Sequence, residues 1–234
     1  MGVKTTFTKE HAVECISELW CLLSADEREK MLERMTIHTY RKNEEIYFEG
    51  QEAHSLMCLI SGRVKIYRNG KTGRKQIMRV ITPVQFFGFR AFFAGEPYKT
   101  GATAIERSEL CMMPMDVVME CVKENNALAL LFIRLLSSEL GMTEVRAITL
   151  TQKHVRARIA ETLLFLREHY GLEADGATLS IYLPREDLAN MSNMTTSNAI
   201  RTLSSLAEDK VIAIDGRKIK IMDEANLVRI ARTG

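Results

Sequence analysis

The sequence predicts an α+β fold: an antiparallel β-roll, then one long helix, then a C-terminal winged helix-turn-helix. Three patterns in chain order support this prediction. Short β-type segments separated by turn residues fill about residues 40–114, an apolar stripe at helical spacing continues to residue 149, and the remainder contains helical segments and a hairpin. The predicted domains are residues 1–114 (N-terminal helix and roll), 115–150 (long helix) and 151–234 (winged helix-turn-helix).

Composition limits the class of protein without naming a function. The 234 residues are 46% hydrophobic and 26% charged, which is enough for one large or two modest domains. No apolar run approaches the roughly 20 residues that span a bilayer, and the N-terminus lacks a signal-peptide pattern, so we expect a cytoplasmic protein without a membrane partner. A net charge of +2 is too small to indicate nucleic-acid binding by itself. Five cysteines, an odd number, favour reduced thiols.

The roll is predicted from its turn residues and β-type segments. Ser24 is placed as the N-cap of a short helix with acidic residues in its first turn, and this helix should precede the roll. The segments that follow are "EEIYFEG", "SLMCLISGRVKIYRNG", "KQIMRVI" and "TGATAIERSELCMM". Their length and spacing are typical of a small antiparallel roll or barrel.

The long helix carries an apolar stripe whose intervals alternate between three and four residues. This spacing is typical of a coiled-coil seam, and a second apolar face at Ala129, Phe132, Leu136 and Leu140 is available to pack on the roll. Two faces indicate two partners, so we predict a homodimer; packing of the stripe within one chain is the alternative. The predicted dimer residues are Leu128, Leu131, Leu135, Ser138, Met142 and Val145, with Thr149 continuing the stripe.

The segment "LPREDLANMSNMTTSNAIRTLSSLAEDKVI" predicts a helix-turn-helix. Leu188 and Met191 supply an apolar face to a first helix, Ser192-Asn193 interrupt it, and a second helix starts near Thr195 or Thr196. That second helix has an outward polar face, which a helix in the DNA major groove requires. A hairpin turning at Asp215-Gly216 makes a basic wing for phosphate contacts. The predicted DNA-binding residues are Thr195, Thr196, Ser197, Asn198, Arg201, Arg217, Lys218 and Lys220.

From about Cys15 to the end, the chain resembles the CRP/FNR family of bacterial transcription regulators. The resemblance rests on the order of "YRKNEEIYFEGQEAHSLMCLISGRVKIY", "FFGFRAFFAGEPYKTGATA", "HVRARIAETLLFL" and the helix-turn-helix segment. It implies a cyclic-nucleotide-binding-type roll and a homodimer on two-fold related double-stranded DNA that recruits or blocks RNA polymerase. The family's recognition helix often carries Arg-Glu and then an Arg four residues after the Glu. Thr196 and Ser197 stand at the first pair and Arg201 matches the last, so the preferred DNA sequence differs from that of the best-known members.

The effector segment departs from that of relatives that bind cyclic AMP. Those relatives carry Gly-Glu and later Arg-Ser-Ala, whereas this chain has Gly88-Phe89 and Lys99-Thr100-Gly101. Phenylalanine accepts no hydrogen bond from a ribose hydroxyl, and lysine is a point charge where arginine offers a fork, so we expect an effector other than cyclic AMP. A pocket for another anion and an aromatic-filled roll without a ligand remain two alternatives. The candidate pocket residues are Phe89, Arg90, Tyr98, Lys99 and Thr100.

Some members of the family that the chain resembles hold an iron–sulfur cluster with four cysteines. Cys15, Cys21 and Cys111 resemble three of those ligands, but Ala12 stands at the first, beside His11. We therefore expect no cluster, no metal and no other cofactor. Cys58 lies in a predicted buried strand, as a small core residue.

Two other classes of function compete with DNA binding. A regulatory module that binds a ligand but no DNA is the alternative, and it predicts no salt-dependent DNA binding. An enzyme is not expected, because the five histidines are dispersed and no phosphate loop, zinc-ligand spacing or Ser-His-Asp set occurs.

Overall fold

A computed structural model describes residues 7–70 and 75–232; in the longest helix, the side chains of residues 145, 146 and 148–152 fall outside the description. Close contacts divide the chain into two units. Of the described residues, the first contains 7–69 and 78–140, and the second contains 70, 75–77 and 141–232. The boundary at residue 141 lies within the longest helix.

Short helices precede the β-roll: α1 (Lys9–Cys15), α2 (Ser17–Trp20) and α3 (Ala25–Arg34). The predicted cap at Ser24 is confirmed. Its hydroxyl accepts a hydrogen bond from the Glu27 N–H (3.3 Å), and the Glu27 carboxylate accepts one from the Ser24 N–H (2.7 Å). This capping box satisfies two backbone donors that a helix start leaves without intrahelical partners.

The roll consists of two antiparallel sheets. One has the order β1-β8-β3-β6 and the other β2-β7-β4-β5. The strands are β1 (Thr36–Tyr40), β2 (Glu45–Tyr47), β3 (Ser55–Ser61), β4 (Val64–Asn69), β5 (Lys75–Ile81), β6 (Phe86–Phe87), β7 (Gly101–Ala104) and β8 (Ser108–Pro114), with helix α4 (Phe89–Phe93) between β6 and β7. This confirms the predicted antiparallel roll.

Strand β3 separates two apolar cores, because successive side chains of a strand point to opposite faces. Leu56 and Cys58 join a core formed with the helices, whereas Met57 and Leu59 join the core inside the roll. Both faces of β3 are thus covered, which explains its nearly unbroken run of apolar residues.

The predicted helix 115–150 is two helices, α5 (Met115–Glu124) and α6 (Asn126–Gln152). The helical conformation is interrupted at Asn125, whose backbone is extended. Its side-chain oxygen accepts a hydrogen bond from the Leu128 N–H (3.1 Å), and its amide donates to the Leu22 carbonyl (2.8 Å). Asn125 therefore caps α6 and ties its start to the N-terminal helices, which corrects the prediction of one uninterrupted helix.

The structure also corrects which face of α6 is covered. Leu128 and Leu131, predicted at a dimer interface, are buried in the core of their own unit with Phe132, and Leu135 and Leu136 pack partly against it. Leu140, predicted to face the roll, is 60% exposed. Leu128, Leu131 and Leu140 were assigned to the wrong faces because two apolar stripes have similar helical spacing, and spacing alone does not say which stripe packs on the rest of the unit.

An exposed apolar stripe on α6 contains Leu130 (59% exposed), Ile133 (58%) and Leu140. Of the other predicted dimer residues, Ser138 and Met142 are exposed, and the side chains of Val145 and Thr149 fall outside the description. We call Leu130, Ile133 and Leu140 the exposed stripe.

The second unit contains α7 (Val155–Tyr170), α8 (Arg185–Met191), α9 (Thr196–Glu208), β9 (Ile212–Asp215), β10 (Lys218–Ile221) and α10 (Glu224–Arg232). Gly171 ends α7 with a positive φ of 75°, as predicted. Residues 177–184, predicted as a strand, contribute only isolated bridges, such as Thr178 with Lys220. The predicted hairpin is confirmed, with β9 and β10 joined through Gly216 at a φ of 54°.

Candidate nucleic-acid interface

Two hydrogen bonds from α7 hold the turn of the helix-turn-helix. Ser192 is fully buried, and its hydroxyl hydrogen-bonds to that of Thr162 on α7 (2.8 Å). Arg158, also on α7, donates to the carbonyl of Asn193 (2.9 Å), whose φ of 49° turns the chain between α8 and α9. The buried Thr162–Ser192 bond and the exposed Arg158–Asn193 bond both join α7 to the turn, so hydrogen bonds as well as apolar packing hold the turn in place.

Helix α9 divides into a buried and an exposed face, as predicted. Ala199, Leu203 and Leu206 are buried. The Thr195 hydroxyl caps the helix by accepting from the Asn198 N–H (3.2 Å). The outward face carries Thr196, Ser197, Ile200, Arg201 and Ser204, all of them exposed. The predicted residues of this helix are therefore grouped at its N-terminal half, where a groove-binding helix contacts base edges.

Arg201 is oriented by a neighbour one turn earlier. Its Nη2 donates to Oδ1 of Asn198 (2.6 Å). Asn198 is partly buried, whereas Arg201 is exposed. A guanidinium held at one nitrogen keeps other N–H donors available, so this pair is compatible with a bidentate contact from Arg201 to a guanine edge.

Two arginines outside the predicted set position the interface. Arg156 on α7 donates to the Ser205 hydroxyl (2.5 Å) and pairs with Asp209, so it holds the C-terminal end of α9. Arg185 at the start of α8 donates to the carbonyl of Gly216 in the wing turn (2.7 Å). Sequence patterns did not distinguish these arginines from ordinary surface cations, because both contacts span more than 30 residues of chain.

The wing cations have different surroundings. Lys218 Nζ lies 5.7 Å from the ring centre of Tyr182, a cation–π contact. Lys220 forms an ion pair with Asp175 (3.3 Å). The pKa of Asp175 is held well below its ordinary value, first by hydrogen bonds from the backbone N–H groups of Thr178 and Ala177. Lys220 is thus partly neutralised, while Arg217 in the turn is exposed.

The predicted effector residues do not all lie together. Phe89 is buried in the core shared with the helices, with its ring centre 5.5 Å from that of Phe132. Tyr98 is buried in the other core, inside the roll, where it stacks on Tyr47 at 3.9 Å. Phe89 and Tyr98, two of the candidate pocket residues, therefore lie in different cores.

The predicted cations of the effector segment meet at a carboxylate. Arg90 pairs with Glu96 at 2.9 Å, and Lys99 pairs with the second oxygen of the same group. These hydrogen bonds hold the pKa of Glu96 below its ordinary value. Thr100 hydrogen-bonds to the hydroxyl of Tyr47, whose pKa burial raises to about 12. An anionic ligand at this position has to compete with Glu96 for both cations.

The three cysteines that resemble cluster ligands differ in exposure. Cys21 is exposed, Cys15 is partly buried and Cys111 is buried, opposite Cys58 on neighbouring strands. Burial raises the pKa of Cys111 to about 12. Within residues 7–70 and 75–232, no group of three or more His, Cys, Asp or Glu side chains is placed to hold a metal ion. In the same residues, no helix is long and apolar enough to cross a bilayer.

Comparisons with known proteins match both parts of the chain. Residues 37–125 match the cyclic nucleotide-binding domain family, and residues 157–230 match the Crp-like helix-turn-helix domain family. The global nitrogen regulator of Nostoc sp. is 29% identical over 196 residues, covering 82% of this chain and 88% of that protein. The CRP-like cAMP-activated global transcriptional regulator of Mycobacterium tuberculosis is 26% identical over 188 residues, covering 80% and 84%.

Solved structures share the architecture. FixK2 from Bradyrhizobium japonicum superposes with a TM-score of 0.77 at 23% identity, covering 86% of this chain and 98% of that one. A transcriptional regulator of the CRP/FNR family from Eubacterium rectale gives a TM-score of 0.75 at 16% identity, covering 92% and 98%. At these identities the superpositions establish the fold alone.

Proposed function

The chain belongs to the CRP/FNR family of DNA-binding transcription regulators, and from this premise we propose how it engages DNA and its partners. It acts in the cytoplasm as a homodimer on a two-fold related DNA site, where it recruits or blocks RNA polymerase. The observation that carries the proposal is the outward face of α9, where hydroxyl groups and a guanidinium are exposed on a rigidly capped helix.

Arg201 reads a base, and the wing contacts phosphate. A guanidinium matches the two acceptors of guanine in the major groove, and its bond to Asn198 limits the rotamers that it loses on binding. Arg217 and Lys218 contact backbone phosphates, and these contacts carry no sequence information. Lys220 contributes less to DNA affinity than Lys218, because a phosphate group must displace Asp175 from its ion pair with Lys220.

The exposed stripe of α6 is the dimer interface. Leu130, Ile133 and Leu140 recur at intervals of three and seven residues, so they lie along one side of the helix. A second copy related by a two-fold axis presents the same stripe and can cover it, which gives an isologous interface. Two copies of α9 then face two half-sites of one DNA site.

The effector is a molecule other than cyclic AMP, or the roll works without one. Phe89 is buried and offers no hydrogen-bond acceptor, and Lys99 is already paired with Glu96. The tyrosine pair fills part of the roll interior. No iron–sulfur cluster is needed for this proposal, and the cysteines serve as structural or redox-sensitive thiols.

The test is genome-wide mapping of the DNA bound by the purified full-length protein, with and without cell extract, followed by titration of a recovered duplex at several salt concentrations. We expect affinity to fall steeply with salt. The same titration is made with Arg201→Ala, which removes the proposed base contact. Arg34→Ala is its control, because it removes the same charge from an exposed site in the other unit. Absence of salt-dependent binding to any duplex would contradict the proposal and favour a module that binds no DNA.

A further inference from the structure

Ile200 is an apolar exception on the polar face of α9. It is 48% exposed, whereas the apolar residues that hold α9 in its unit are buried. Residues three and four positions away on a helix are surface neighbours, and for Ile200 these include Ser197, Thr196 and Ser204. A β-branched side chain also adds less helix stability than alanine. Neither core packing nor helix propensity accounts for isoleucine at this position.

The neighbours of Ile200 make it one of the farthest-reaching groups of this face. Thr196, Ser197 and Ser204 have short side chains, and only Ile200 and Arg201 extend well beyond the backbone. A helix with short side chains can approach the base-pair edges closely. In such a position the Ile200 methyl groups meet the floor of the groove beside the guanidinium of Arg201.

The DNA major groove contains one kind of apolar base-edge group, the C5 methyl of thymine. Contact with this methyl removes apolar surface of both partners from water, and a polar base edge at the same place leaves its donors or acceptors desolvated. On the basis of the proposed function, we propose that Ile200 is a specificity-determining residue that contacts a thymine methyl in the same half-site as the guanine of Arg201.

The experiment removes the methyl group and nothing else. Binding sites are selected from random duplexes with the full-length protein, and each dT of a selected site is then replaced by dU. One position per half-site should lose about fourfold in affinity, and replacement in both half-sites about 15-fold, from the transfer free energy of a buried methyl-sized group. Replacements elsewhere should leave affinity unchanged within about twofold.

Variants assign the effect to Ile200. Ile200→Ser should bind dT and dU duplexes equally while keeping the wild-type salt dependence, which reports a folded interface. Ile200→Val keeps a branched apolar side chain and should retain the preference for dT. Arg201→Ala is the matched control, because it should weaken binding but preserve the dT-to-dU ratio.

Three outcomes separate this inference from the proposed function. If binding is sequence-specific but no dU replacement lowers affinity, the role of Ile200 is overturned and the proposed DNA-binding function stands. A dT preference that persists in Ile200→Ser overturns it as well, because another group then contacts the methyl. If no duplex is selected at all, the proposed DNA-binding function fails and this inference fails with it.

Discussion

Leu130 and Leu131 are adjacent in the chain, about 100° apart around the axis of α6, and only Leu131 is buried, so alanine at each should have a different effect. Leu130 is 59% exposed and Leu131 is 2% exposed. Leu→Ala removes three carbon atoms, each worth about 0.8 kcal/mol when buried. If the partner helix covers the exposed share of Leu130, Leu130→Ala costs about 1.4 kcal/mol per copy and about 2.8 kcal/mol per dimer, because the two-fold axis repeats the change.

That free energy corresponds to a dimer dissociation constant about 100-fold larger for Leu130→Ala. Sedimentation equilibrium measures this constant, and circular dichroism should show that the dissociated variant keeps its helices. Leu131→Ala instead leaves a cavity in a fully packed core, so it should lower the free energy of unfolding by about 2 to 5 kcal/mol. Urea titration at one fixed protein concentration measures that loss, because dimerisation makes apparent stability depend on concentration.

The assignment of the two faces would be refuted by the opposite pattern. A Leu131→Ala protein of wild-type stability that sediments as a monomer, beside a Leu130→Ala protein with the wild-type dissociation constant, would show that the stripe through Leu131 meets the partner. A wild-type protein that is monomeric at every accessible concentration would contradict the homodimer itself.

Four further outcomes are expected. Arg201→Ala should cost about 1 to 3 kcal/mol of binding free energy on a cognate duplex and relax the sequence preference at one base pair per half-site. Lys218→Ala should weaken binding to all duplexes and make affinity less dependent on salt. Equal losses of affinity on every sequence for both variants would contradict both roles. Calorimetry with cyclic AMP should show no binding at micromolar concentration, and binding that raises DNA affinity would overturn that expectation. Protein purified without oxygen should lack stoichiometric iron and sulfide; a near-unit content lost in Cys15→Ala would show that a further ligand completes a cluster. Asn125→Ala should lower the free energy of unfolding in urea by about 0.5 to 2 kcal/mol, because α6 loses its cap, and unchanged stability would argue against that cap.

Local patterns in the sequence were sufficient to predict the order of the helices and strands and where several of them begin or end. The N-cap at Ser24, the start of α9 near Thr195 or Thr196 and the hairpin at Asp215-Gly216 are confirmed, because each depends on residues within a few positions of one another. The outward face of α9 followed from the same kind of information, since Ala199, Leu203 and Leu206 mark the buried side at helical spacing. DNA binding by a recognition helix could therefore be proposed before the fold was known.

Tertiary structure alone decided the matters that depend on distant residues. Which apolar stripe of α6 is buried depends on the rotation of the helix about its axis. Leu128, Leu131 and Phe132 pack in a core with distant elements, and Asn125 contacts Leu22, 103 residues away in the chain. Likewise, the support of the wing by Arg185 joins groups 31 residues apart. The spacing of apolar residues shows that a segment is helical, but it does not show which side of the helix faces a neighbouring sheet. That orientation is set by packing against elements that the local sequence does not specify.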